Sequence, residues 1–143
     1  MNSPARFRPR FDIWLLATAS VLLLAQASFH LLAYPKLDEG LRDLASLSVQ
    51  MPLPDFDVLR GAWILYAVHL LIAALLCAAC AVAPRLFGRG LRIALAAWLG
   101  LDTVLLLYFV GPFLGSVLMA ISAFAVALTA LLPARGDESS GRE

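Results

Sequence analysis

Long apolar runs alternate with short charged interruptions along this chain. Phe11–Ala33, Gly61–Ala83, Leu91–Val110 and Phe113–Leu132 each run about 20 residues, the length an α-helix needs to cross roughly 30 Å of hydrocarbon. The pattern predicts four membrane helices in one transmembrane domain over residues 1–133. Gly111-Pro112 leaves room only for a tight antiparallel hairpin of the third and fourth helices, with proline at the opening turn of the fourth. The Arg85–Arg92 connection makes the second and third another such pair. The expected fold is therefore an all-α, integral membrane, antiparallel four-helix bundle.

The segment between the first two spans is the one extended polar stretch. Within it Leu41, Leu44, Leu47 or Ser48, and Met51 recur near helical spacing, with Arg42 and Asp43 on another face. This predicts a short amphipathic helix lying on the membrane surface. Pro52 and Pro54 end it, and Asp55 is a candidate N-cap for the second span. Residues 134–143, rich in Gly, Ser and mixed charge, read as a disordered tail.

Charge orients the spans, because cytoplasmic loops keep lysine and arginine. The N-terminal arm carries Arg6, Arg8 and Arg10 against Asp12, and the second connection carries Arg85, Arg89 and Arg92 with no acid. The first connection sets Lys36, Arg42 and Arg60 against Asp38, Glu39, Asp43, Asp55 and Asp57. Both termini are thus expected in the cytoplasm and the acidic loop outside. Trp14 and Phe87 then mark the inner interface, and Tyr34, Trp63, Tyr66, Tyr108 and Phe113 the outer one. The start also has signal-peptide features, Ala25-Gln26-Ala27 included. The apolar run continues past them to Ala33, so a retained helix is expected.

Composition agrees with a lipid environment. Apolar residues make up 62% of the chain and mean hydropathy is +0.85. A net charge of +1 with no basic groove gives nucleic acid nothing to bind. Lys36 is the only lysine among many arginines, alanines and leucines, which suggests a GC-rich bacterial source and hence the bacterial inner membrane.

The candidate chemistry lies in the polar residues at membrane depth. Asp102 falls near the middle of its span, where an ionised aspartate costs about 2.5–3.5 kcal/mol. It should be protonated, paired or facing a wet cavity. His69 and Gln26 reach a similar depth on the second and first helices, so an Asp102–His69 contact with Gln26 nearby is expected. His30, Ser116, Ser122 and Trp98 are secondary candidates, Trp98 as an apolar floor on a face shared by Asp102, Leu105 and Phe109. On the second helix the row Gly61, Leu65, His69, Ala73, Cys77 and Ala81 should face a neighbour, since small residues let membrane helices approach. Such a polar layer can be simple interhelical glue, a titrating or ligand site, or a contact with another subunit.

Other chemistry finds little support. His30 and His69 differ in depth by more than a turn, which argues against a shared haem. Cys77-Ala78-Ala79-Cys80 lies within the second helix and reads as small packing residues rather than a redox pair. It has no further zinc ligands at its depth. There is no H-E-x-x-H, G-x-S-x-G or P-loop pattern. No catalytic residue, metal or cofactor is therefore expected. The expected partners are the lipid bilayer and either another membrane protein or a second copy of the chain. The sequence points to a non-catalytic accessory, assembly or immunity-type subunit. The alternative is a homo-oligomeric, proton-coupled or small-molecule carrier with Asp102 as its titrating group.

Overall fold

The computed structural model describes residues 11–47, 56–84 and 86–131. The N-terminal arginines, Ser48, Met51, Pro52, Pro54, Asp55, Arg85 and the tail lie outside the described residues. Four α-helices account for nearly all of the rest: α1 (Phe11–Leu47), α2 (Phe56–Val82), α3 (Arg89–Phe109) and α4 (Leu114–Leu131). Each is long and apolar enough to cross a membrane, which marks the chain as a multi-pass membrane protein. In lipid the backbone must satisfy its own polar groups, and a helix does so within one segment.

The surface is itself that of a membrane protein. Phe29, Val21, Leu65, Leu75, Leu101, Val104 and Phe124 are exposed, whereas Gln26, Thr103, Ser116, Ser122 and Thr129 are buried. Water would favour the opposite arrangement. The buried interior contains Leu16, Leu23, Leu70, Leu95, Leu99, Met119 and Val126, interleaved with Ala19, Ala73, Ala74 and Ala123. The alanines allow the backbones to approach where dispersion is the main attraction.

The first helix does not end at Ala33. It continues through Pro35 to Leu47 as one element of 37 residues, about 55 Å at 1.5 Å per residue. The helix expected over the polar loop is therefore, as far as Leu47, the continuation of α1 rather than a separate element. Proline removes an amide and crowds the carbonyl four residues back, here that of Leu31. Membrane helices accept this when neighbours bond the loosened backbone. One residue earlier, the His30 carbonyl accepts a hydrogen bond from Trp63 Nε1 of α2 at 2.7 Å. Beyond it Arg60 donates to Asp38 (2.6 Å) and Asp57 (2.8 Å), while Arg42 pairs with Asp38 at 2.7 Å. The same tie explains why α2 starts at Phe56, earlier than the apolar run alone indicates.

Close packing joins α1 to α2, α1 to α4, and α3 to α4. Three contacts register α1 against α2: Ser20 Oγ donates to the Ala74 carbonyl at 2.9 Å, Trp63 to His30, and Arg60 to Asp38. Between α3 and α4, Gly111 takes a φ of +88°, a conformation glycine adopts without penalty. Its amide and that of Val110 reach back to the Leu106 carbonyl, at 3.1 and 2.9 Å. At the other end of this pair, Arg89 and Arg92 donate to the Ala130 and Thr129 carbonyls, at 2.9 and 3.4 Å. They satisfy the last acceptors of α4 and suit the negative end of its dipole.

Candidate functional site

The helices α2 and α3 follow one another in the chain, yet they are not among the closely packed pairs. They meet through long side chains. His69, the central residue of α2, places Nε2 2.5 Å from Oδ2 of Asp102, which lies less than a turn beyond the centre of α3. The pair is only partly covered: the side chains are 27% and 15% exposed. Among the described residues no lysine or arginine reaches it, so its charge balance rests on the two groups sharing one hydrogen bond.

Aromatic rings surround the imidazole. Trp98 meets His69 edge-on at 4.5 Å between ring centroids, and Tyr66 stacks on it at 5.9 Å. Tyr66 in turn contacts the ring of His30 at 5.1 Å, and Trp63 lies 4.7 Å from the same ring. His30 is fixed by its own helix, since Nδ1 lies 3.0 Å from the Gln26 carbonyl. A carbonyl only accepts, so the proton sits on Nδ1. The Tyr66 hydroxyl oxygen is buried and has no hydrogen-bond partner among the described residues. Leaving such a group unpaired costs about 1–3 kcal/mol, which makes it the least satisfied atom of the site.

A cleft of about 260 Å³ is lined in part by Tyr66. Tyr66 and Asp102 stand among apolar walls of Leu105, Leu106, Phe109 and Val110. A second groove of about 410 Å³ between α3 and α4 is lined by Leu107, Val117, Ala120, Ile121, Phe124 and Ser116. It holds no ionisable group.

The residues expected at this depth divide clearly. The structure brings His69, Asp102 and Trp98 together. Gln26 turns away: its amide donates to the Leu22 carbonyl of α1 at 3.4 Å. Ser116 is occupied as a helix cap, accepting from the Phe113 amide at 3.0 Å and donating to the Phe113 carbonyl at 2.8 Å. Ser122 donates to the Leu118 carbonyl at 2.9 Å. His30 belongs to the aromatic group with Tyr66 and Trp63, not to the hydrogen-bonded pair.

Two expected faces are corrected. The buried face of α3 is Leu95, Leu99 and Thr103; Leu105 and Phe109 are exposed, so Asp102 stands at the edge of the packed face. On α2, Ala73, Cys77 and Ala81 of the predicted row are buried, but Leu65 is 69% exposed and Gly61 is also exposed. The row packs at one end only. Tyr66 and Trp63 were assigned to interface depth alone, yet Trp63, Tyr66 and His69 recur at three-residue spacing, which keeps them on one side of α2.

Both cysteines are free thiols buried in the core. Among the described residues, no cluster of three or more histidine, cysteine or acidic side chains could hold a metal. No family model, no curated protein and no solved structure matches this chain.

Proposed function

We propose that this is a small bacterial inner-membrane protein that works without catalysis, by presenting the α2–α3 seam to a companion within the bilayer. In this reading it is an accessory, assembly or immunity-type subunit, and the companion is another membrane protein. The observation that carries the proposal is the seam itself. An ionisable pair, a tyrosine hydroxyl with no hydrogen-bond partner among the described residues, and largely exposed apolar walls lie between two helices that do not pack closely. A polar site of this kind facing lipid is costly, and a partner helix would cover it.

The arrangement proposed around the seam is an antiparallel bundle with both termini in the cytoplasm. The contacts Ser20–Ala74, His30–Trp63 and Asp38–Arg60 advance along α1 as they retreat along α2, which supports the first hairpin. Gly111 and the arginines on the α4 terminus support the second. The uncompensated Arg85, Arg89 and Arg92 support placing that end inside. The paired ends of α1 and α2 would then project outside, held by Arg60.

The test is gentle extraction through a C-terminal tag, with mass spectrometry of what co-purifies. The subunit reading expects one stoichiometric membrane protein, lost when Val110→Trp fills the seam. Recovery of the chain as a homo-oligomer, with no other protein, refutes it. A second reading, the homo-oligomeric carrier, is favoured by a specific observation: Asp102 lines the cleft. Asp102→Asn keeps hydrogen bonding but cannot titrate. A carrier loses transport with this variant while folding normally; a structural subunit keeps its function.

A further inference from the structure

We propose that the α2–α3 cleft binds a small lipophilic monovalent ammonium ion, which replaces the proton shared by His69 and Asp102. The proposal rests on the carrier reading and names its substrate class. His69 and Asp102 share one hydrogen bond, and that bond holds one proton. With the shared proton present, the pair has no net charge, whichever group holds it. Without that proton it is neutral imidazole beside carboxylate, with a net charge of −1. The net charge is expensive in hydrocarbon, so the proton leaves only when another cation arrives. One positive charge enters, one proton departs to water, and the site stays neutral.

The cleft has the parts that such a guest needs. Asp102 commits Oδ2 to His69 and also lines the cleft, which puts a carboxylate beside the guest. Phe109 and Tyr66 also line the cleft, and aromatic rings attract a cation placed over them. Leu105, Leu106 and Val110 accept an apolar substituent. Among the lining residues there is no lysine or arginine to occupy the carboxylate. At about 260 Å³ the cleft is below the usual drug-sized range of roughly 300–1,000 Å³, so the guest is small. Entry from the bilayer is open because α2 and α3 are not closely packed, which selects for lipophilic ions over metal ions. The titratable groups facing the pair are few. From α2 come His69 itself and Tyr66, from α1 His30 on the far side of Tyr66, and from α4 none, since its sequence has no ionisable residue.

The test uses the full chain in nanodiscs of phosphatidylglycerol, with benzyltrimethylammonium as probe and its uncharged carbon isostere as control. The expected result is saturable binding of the cation, with affinity rising about tenfold per pH unit while one proton is displaced. The isostere should bind much more weakly. Asp102→Asn abolishes the pH dependence. Phe109→Leu, at a ring 75% exposed and so no risk to folding, weakens binding by roughly threefold. Repeating the titration with phosphatidylethanolamine present distinguishes the source of the ammonium group. Suppressed binding identifies a lipid headgroup as the occupant, and unchanged binding a free amine. Equal, pH-independent binding of cation and isostere overturns the proposal. Proton flux into proteoliposomes that depends on Asp102 is measured separately. Flux without cation binding refutes the substrate class and keeps the carrier; neither flux nor binding refutes both.

Discussion

Replacing His69 with leucine isolates the cost of leaving Asp102 alone in the bilayer. Leucine fills much of the imidazole volume, so the cavity contribution is small. The interhelical hydrogen bond at 2.5 Å is lost, worth about 0.6–1.7 kcal/mol between membrane helices. The carboxylate is then unpaired, at about 2.5–3.5 kcal/mol if it stays ionised. Its 15% exposure gives little relief, since the neighbouring medium is hydrocarbon. His69→Leu should therefore cost about 3–5 kcal/mol in all. Asp102→Leu leaves only a neutral imidazole and should cost about 1–2 kcal/mol. The double variant has no orphaned charge, so adding Asp102→Leu to His69→Leu should restore about 2–3 kcal/mol. Reversible unfolding by dodecyl sulfate in mixed micelles, followed by circular dichroism, measures all three. The reasoning fails if the two single effects simply add, or if His69→Leu costs less than about 0.5 kcal/mol.

Three further outcomes follow from the packing. Ser20→Ala removes the one hydroxyl bond from α1 to α2, at 2.9 Å, and should cost about 0.6–1.7 kcal/mol in the same assay; no change would mean the bond is idle. Arg60→Gln opens the tie between the projecting ends of α1 and α2. The loss of stability should be small and should shrink in high salt, because the pairs are partly exposed; a salt-independent loss would contradict that account. Cys77 and Cys80 should resist a membrane-permeant maleimide in the folded protein and react after unfolding, since both are fully buried; fast labelling of the native state would show that the core opens.

The four helices were legible because length and apolar run are strong signals in lipid, where a single segment can satisfy its own backbone only as a helix. The continuation of α1 past Ala33 was not. Pro35 reads as a stop in a soluble chain, and the contacts that tie α1 to α2 on either side of it, from Trp63 and from Arg60, arise only from the packing of the two helices. Rotation was the other hidden quantity. A soluble helix declares its inner face by contrast with water, but hydrocarbon is as apolar as the core. Leu105 and Phe109 on α3 thus look the same whether they face protein or lipid. Counting along the spans placed Gln26 at the depth of His69 and Asp102 but could not show that its amide serves its own backbone. The same holds for Ser116 and Ser122, whose hydroxyls bond nearby backbone carbonyls: a serine inside a membrane helix has a carbonyl of its own helix within reach.

The order of close packing also has a consequence for how the chain is made. Synthesis and membrane insertion run from the N-terminus. When α2 emerges, its main neighbour α1 is already in place, so this hairpin can consolidate at once. When α3 emerges, its close neighbour α4 has not yet been synthesised. At that moment α3 carries an acidic group into the bilayer with no packed surface to shelter it, and the imidazole at the centre of α2 is the nearest partner ready to receive it. The His69–Asp102 contact would then act as a temporary mooring for α3 until α4 docks on α1 and closes the other side.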